Sequence, residues 1–425
     1  MIDINILRNN PDTVKENIKK KFQDHKLVLV DEIFEMDKTY RNKKVEMDNL
    51  REKRNKLSKE IGILMANKKV EEAEITKKEV KNILDTINKL DEEVINLEKS
   101  ITEKMYLIPN FIDDTVPIGK DDTENKEIEK YGKNKIPSYE IPYHTDIMDK
   151  LEGIDLESSR KTSGNGFYYL EGDIARLHSA ILSYARDFMI DKGFKYCIPP
   201  FMIRQEVVSG VMSFEEMENM MYKIEGEDLY LIGTSEHSMI GKFNNEILDS
   251  NKLPYKYTSY SPCFRKEVGA HGIEERGVYR VHQFEKQEMI VICDPSESKQ
   301  WYEKMWKYSV ELFRSLDIPV RTLECCSGDL ADLKVKSCDI EAWSPRQQKY
   351  FEVGSCSNLG DAQARRLKIR INKEGKKEFA HTLNNTVVTP PRVLIAFLEN
   401  NYNEDGSISI PTNLQPYMGG KQLLK

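Results

Sequence analysis

Phe264-Arg-Lys-Glu267 sets a guanidinium and a carboxylate two residues apart, at the threshold of a polar, glycine-containing loop. In an extended chain residues i and i+2 share a face, so Arg265 and Glu267 are expected side by side on a strand. A fixed guanidinium stabilises charge that builds on a phosphate, and can do so bidentately. After the loop comes Arg280-Val-His-Gln-Phe-Glu-Lys-Gln-Glu288, which reads as the partner strand and carries a carboxylate four residues beyond Phe284. Ile232-Gly-Thr-Ser-Glu236 adds a hydroxyl and a carboxylate, groups that can hold an ammonium ion. Phe351-Glu-Val-Gly-Ser355 adds Glu352 and Ser355, oxygen ligands of the type Mg²⁺ prefers. Gly354 lets backbone come close to a ligand. Finally Arg392 follows Pro390-Pro391 at the start of an apolar stretch, Val393–Asn400. Proline suits a first helical turn because its missing N–H is not needed there.

These groups need elements to hold them. Strands are expected around Lys195–Ile203, Leu229–Ile232, Tyr257–Phe264, Tyr279–Val291, Lys349–Ser355 and Phe379–Leu383. Helices are expected over Ile174–Ile190, Ser296–Leu316 and Arg392–Asn400. Several strands separated by long helices, without βαβ repetition, give an antiparallel α+β domain over 135–425. Pro199-Pro200 confines its strand to an edge or an interface.

The N-terminal quarter is of another kind. Residues 1–26 read as one short capped helix, started by Pro11-Asp12-Thr13, with Val14, Ile18 and Phe22 on its apolar face. Ile33, Met36, Tyr40, Lys43, Met47, Leu50, Arg54, Leu57, Ile61 and Leu64 then follow a 3-4 spacing. Val80, Ile83, Ile87, Leu90, Val94, Leu97 and Ile101 repeat it after the polar break Met65–Val70. Two heptad helices joined by a turn make an antiparallel coiled-coil hairpin over about 27–106, the first helix roughly 50 Å long. Lys43 and Arg54 are expected to lay their stems along the seam with their charges in water. Pro109, Pro117, Gly119 and an acidic run mark a linker over 109–134.

The 425 residues are 39% hydrophobic and 32% charged, with net charge −7. That balance argues against a general nucleic-acid binder but leaves local patches open. Residues 38–69 are such a patch, with lysine and arginine far outnumbering acids, so the hairpin is either a solvated coiled coil or an arm that contacts phosphates. No GxxxxGK[ST] loop and no His-x-Gly-His are present. Seven cysteines without a CxxC pair suggest reduced thiols and a cytoplasmic protein. Cys325, Cys326, Cys338 and Cys356 lack a recognisable zinc spacing. No leader segment and no apolar run near 20 residues is apparent, so no membrane is expected.

The Phe264–Glu267 and Val281–Glu288 segments resemble motif 2 of the class II aminoacyl-tRNA synthetases, in the form found in the seryl-tRNA synthetases. Phe379–Arg392 resembles motif 3, with one departure: Pro390-Pro391 stand where the commoner pattern has Val-Gly. The hairpin, the Thr234-x-Glu236 element, Phe351–Asn358 with Gln363-Ala-Arg-Arg366, and the tail Ile408–Gly420 fit the same family, so the resemblance spans nearly the whole chain. It points to the common bacterial and eukaryotic type, not the zinc-dependent form, and no zinc is expected.

The resemblance implies that the chain activates L-serine with ATP and transfers it to tRNA(Ser), and to tRNA(Sec) where that exists. Arg265 and Arg392 are the implied catalytic residues, on the α- and γ-phosphates. Serine falls to Thr234, Ser235, Glu236, Arg265, Glu288 and Thr386. ATP falls to Arg265, Lys266, Glu267, Val281, His282, Gln283, Phe284, Glu352, Val353, Gly354, Ser355 and Arg392, with Mg²⁺ on Glu352 and Ser355. The loop residues His271, Glu274, Glu275 and Arg276 would meet ATP and the tRNA end. A homodimer is implied, with the interface around Tyr196–Pro200 and tRNA bound across subunits. A ligase that charges a carrier protein, a non-catalytic RNA-binding paralogue and a purely structural coiled coil remain as alternatives.

Overall fold

A computed structural model of the chain describes residues 1–267 and 277–425; the loop positions His271, Glu274, Glu275 and Arg276 lie outside them. The described chain divides into a unit of residues 2–109 and a unit from Asn110 to Lys425.

In the smaller unit two helices, Ile4–Asn9 and Pro11–Lys20, replace the single expected one. Asn10 separates them: its backbone breaks from helical angles and its side chain accepts from Thr13 N–H, a typical N-cap. Val14 and Ile18 are buried as expected, but Phe22 lies beyond the helix end at positive φ and is largely exposed. The hairpin follows as Leu27–Ala66 and Val70–Leu107. Every residue of the expected seam is buried or half-buried, with Ile33 and Met47 packed deepest. Lys68, at positive φ, turns the chain between the helices. Lys43 does more than extend its stem: its Nζ reaches Glu93 of the facing helix at 2.5 Å. Lys53 with Glu79 (2.8 Å) and Lys104 with Glu32 (2.7 Å) pin the same register.

One buried charge anchors the root of the hairpin. Asp37 accepts from Arg8 Nε (2.8 Å) and Nη2 (2.6 Å), and from Arg41 Nε (2.9 Å). Burial alone would raise its pKa, but hydrogen bonds and charge from Arg8, then Arg41, outweigh this and hold it below the ordinary value. Asp37→Ala is expected to destabilise this unit by about 2 kcal/mol, a figure reduced because both arginines reach water. A depressed carboxyl stabilises fully above its unfolded pKa of about 3.9 and less as pH falls through the folded value. Denaturation of both proteins should therefore differ by a constant amount from pH 5 to 7, and the gap should close in acid.

The larger unit is built on an eight-stranded sheet. Its strands are β1 (Lys126–Tyr131), β2 (Lys195–Cys197), β3 (Tyr255–Phe264), β4 (Gln283–Cys293), β5 (Val320–Glu324), β6 (Lys336–Ser344), β7 (Lys349–Asn358) and β8 (His381–Val388). The order is β1-β5-β6-β7-β8-β4-β3-β2, antiparallel except where β2 joins β3. This is the α+β architecture the strand and helix pattern predicts. The proline-bounded β2 is indeed an edge. The other edge, β1, falls in the stretch read as a linker; its Lys-Glu-Ile-Glu-Lys run gives no apolar alternation because it faces solvent almost throughout, as charged edge strands do. β4 starts at Gln283, not Tyr279, since Gly277–Arg280 form a turn. Helices Gly172–Asp191, Ser298–Ser315 and Pro390–Asn400 pack their apolar faces on the sheet and enclose one core. Pro390 and Pro391 occupy the first two positions of the last helix, so the departure from the Val-Gly pattern is absorbed where proline fits a helix best.

Candidate active site

A cleft of about 440 Å³ opens over β3, β4, β7 and β8. Of the residues singled out above, Thr234, Glu236, Arg265, Glu267, Val281, Phe284, Glu352, Val353, Gly354, Ser355, Thr386 and Arg392 line it. Four segments far apart in sequence therefore converge on one wall and floor.

Arg265 and Glu267 stand just past the end of β3, so they do not share a strand face as expected. Arg265 donates from Nε to Gly233 O (3.1 Å), and its guanidinium lies 5.3 Å from the Phe284 ring centre. Glu267 has φ 48°, the left-handed region, and pairs with Arg280 at 2.9 Å. The positive φ turns Glu267 away from a strand path while keeping it in the cleft.

Glu352 and Ser355 are three apart and would point to opposite faces of a regular strand. They share the cleft because β7 carries a bulge: its register with β6 slips between Gly354–Ile340 and Glu352–Glu341, leaving Val353 as the extra residue. A Cβ on Gly354 would lie 3.3 Å from that of Thr386 on β8, a tight approach that β8 would have to yield to by a few tenths of an ångström. Arg392 donates from Nη1 to Glu352 Oε2 (2.8 Å) and stacks 4.8 Å from the Tyr279 ring centre. Burial opposes ionisation of Glu352, but the charge and hydrogen bond of Arg392 prevail and lower its pKa.

The floor is acidic. Glu288, just behind the lining, is 1% exposed; its Oε1 accepts from Thr234 Oγ1 (2.9 Å) and pairs with Lys286, while Oε2 has no hydrogen-bond partner among the described residues. Burial, then the Glu288 charge, push the Glu236 carboxyl up to about 7, against lowering by Gln363 and Lys286. Burial, then Arg265 and Lys286, push His237 down to about 3, so its imidazole is neutral.

The remaining sequence candidates stand outside the cleft wall. Ser235 is buried and donates to Ser259 O (3.2 Å). Lys266 donates to Glu218 O (3.3 Å). His282 packs against Phe167 and has Nδ1 at 3.0 Å from Arg265 O, so it holds the arginine's backbone. Gln283 is exposed and faces a separate hollow with Tyr168 and His178. Arg366 donates to Ser209 O and Met212 O, closing the end of the helix Gln205–Val211.

Sequence reasoning gave no individual role to Lys286, Lys334, His237, Tyr279 and Gln363, although Lys286 and Gln363 stood in segments it quoted. Lys286 alone had a visible signal, two residues from Glu288 on one strand face. Among the described residues Cys325, Asp329 and Asp339 bring ligand-type atoms within 4.8 Å of one another. All seven cysteines are free thiols. No described helix is long and apolar enough to cross a membrane.

Residues 1–112 match the family profile of the seryl-tRNA synthetase N-terminal domain, and residues 219–401 that of the class II tRNA synthetase core domain of the G, H, P, S and T enzymes. A serine–tRNA ligase of Thermococcus sibiricus is 43% identical, over 100% of this chain and 98% of its own. That of Pyrococcus horikoshii is 41% identical, with coverage of 100% and 98%. The crystal structure of the P. horikoshii seryl-tRNA synthetase complexed with ATP superposes with a TM-score of 0.94, covering 100% of this chain and 99% of that one. A cytoplasmic serine–tRNA ligase of Naegleria fowleri in complex with AMP, 33% identical, gives 0.89 over 100% of this chain and 99% of that one. By identity along its full length and by fold, this chain belongs to the seryl-tRNA synthetase family.

Proposed function

We infer that the chain is a serine–tRNA ligase that forms seryl-adenylate from ATP and serine and passes the seryl group to tRNA. The observation that carries this reading is the convergence of Arg265, Arg392, Glu352 and Thr234 on one cleft, with Glu288 hydrogen-bonded to Thr234 behind the lining. The serine carboxylate attacks the α-phosphorus, a P–O bond forms, and the bond to the departing pyrophosphate breaks. Arg265, fixed by Gly233 O and the Phe284 ring, stabilises the α-phosphate charge without reorganising. Arg392 holds the γ-phosphate end. Glu236 takes the ammonium group, and the unpartnered Oε2 of Glu288 accepts from the serine hydroxyl. Alanine would leave that buried oxygen unpaired, a stronger filter than the steric one against threonine. The terminal ribose hydroxyl of tRNA then attacks the carbonyl and AMP leaves.

The donor set suits Mg²⁺: two oxygen ligands, Glu352 and Ser355, turned to one face by the bulge. A bound ion there would neutralise phosphate charge. The hairpin, residues 27–106, with its basic patch over residues 38–69, is the arm that meets the tRNA backbone, by shape more than by sequence. The protein works in the cytoplasm as a homodimer through β2 and its surroundings, with one tRNA spanning both subunits, and it serves tRNA(Sec) where that tRNA exists. The P. horikoshii and T. sibiricus relatives are archaeal; the hairpin arm favours the common type over the zinc-dependent one. ATP–pyrophosphate exchange with serine, threonine, alanine and glycine tests the reading. Exchange at least a hundredfold faster with serine than with alanine is expected; exchange with none of the four would leave the non-catalytic paralogue.

A further inference from the structure

Behind the cleft a single amide ties four elements together. Gln363, on the short helix Ala362–Arg366, is fully buried. Its Nε2 donates to Glu236 Oε1 (2.8 Å) and to Val211 O (3.1 Å). Its Oε1 accepts from Thr382 Oγ1 on β8 at 2.7 Å. Because Val211 O can only accept, it requires the NH2 end of the amide on the Glu236 side, and Thr382 then donates to the oxygen at the other end. Both hydrogens and the oxygen of the amide are then engaged, so it has one orientation.

We propose that Gln363, locked by Thr382, is a positioning residue that holds the Glu236 carboxylate in the orientation that receives the amino group of the amino-acid substrate. This rests on the reading of Glu236 as the ammonium ligand. The surroundings give the amide a second effect. Glu236 is faced by Glu288 and Lys286 from β4, by Lys334 from the segment before β6, and by Gln363 itself. Burial and Glu288 favour its neutral form, and the Gln363 hydrogen bond opposes them. Removing that donor leaves a carboxyl that takes up a proton more readily and attracts ammonium less as pH falls.

The test is pyrophosphate exchange from pH 6 to 8.5 with Gln363→Leu, Thr382→Val, Thr382→Ser and Glu236→Gln. Gln363→Leu should raise the serine KM about tenfold at pH 8 and further at pH 6, with ATP KM unchanged. Thr382→Val should act in the same direction, about threefold, and Thr382→Ser should restore the wild-type profile. A purely structural role would instead change serine KM, ATP KM and thermal midpoint together and independently of pH, and that result overturns the proposal. Should Gln363→Leu fail to fold, the Thr382 pair decides alone: equal serine KM and pH profile in Thr382→Val and Thr382→Ser overturns it. If Glu236→Gln leaves the serine KM unchanged, the assignment of Glu236 falls first and the proposal with it; if Glu236→Gln raises it and the other variants do not, only the proposal falls.

Discussion

Arg392→Ala is expected to slow serine-dependent pyrophosphate exchange by about two to three orders of magnitude, the range for loss of one preorganised charged donor. The guanidinium is set before substrate arrives, by the Glu352 carboxylate at 2.8 Å on one side and the Tyr279 ring on the other. Among the described residues only Nη1 of Arg392 is engaged, on Glu352, which leaves the other nitrogens for a phosphate. Arg392→Lys should recover little of the loss. An ammonium group has no planar fork and cannot stack on Tyr279 while pairing with Glu352. Alanine also removes the charge that most lowers the Glu352 pKa, so on the proposed Mg²⁺ site the half-saturating Mg²⁺ concentration should rise. Exchange within threefold of wild type in Arg392→Ala would remove Arg392 from the machinery.

Shortening the hairpin should separate the two half-reactions. Lys43 and Glu93 face each other across it, so residues 44–92 can be excised and the stubs joined by a short glycine-rich turn without disturbing Asp37, Arg8 or Arg41. Serine-dependent pyrophosphate exchange should remain within about twofold, because every cleft residue lies beyond Asn110. Aminoacylation of tRNA should fall by at least a hundredfold, through KM for tRNA. The excised segment holds much of the basic patch, and each lost phosphate contact removes a salt-dependent share of affinity. The residual charging should accordingly depend less steeply on salt. Charging unchanged by the excision would overturn the arm as the tRNA-binding element.

The hairpin was legible in the sequence because its core is local: a 3-4 spacing places one apolar stripe on each helix whatever lies elsewhere. Strands β2, β3, β4, β7 and β8 were legible from their apolar runs, while β1, β5 and β6 were not. Arg265, Glu236, Glu352 and Arg392 were legible only as motif residues, because their supports Gly233, Phe284, Gln363 and Tyr279 lie on other segments. Tertiary structure decided the rest. Val353 becomes a bulge only through the register of β6 against β7, and that slip turns Glu352 and Ser355 to one side. Glu267 leaves the strand because β3 ends at Phe264. Asp37 read as an ordinary polar position and Gln363 only as one letter of a family segment, yet both are buried at the meeting of segments 29 and 127 residues away. Burial of a polar group is a property of what packs over it, and only the folded chain sets that.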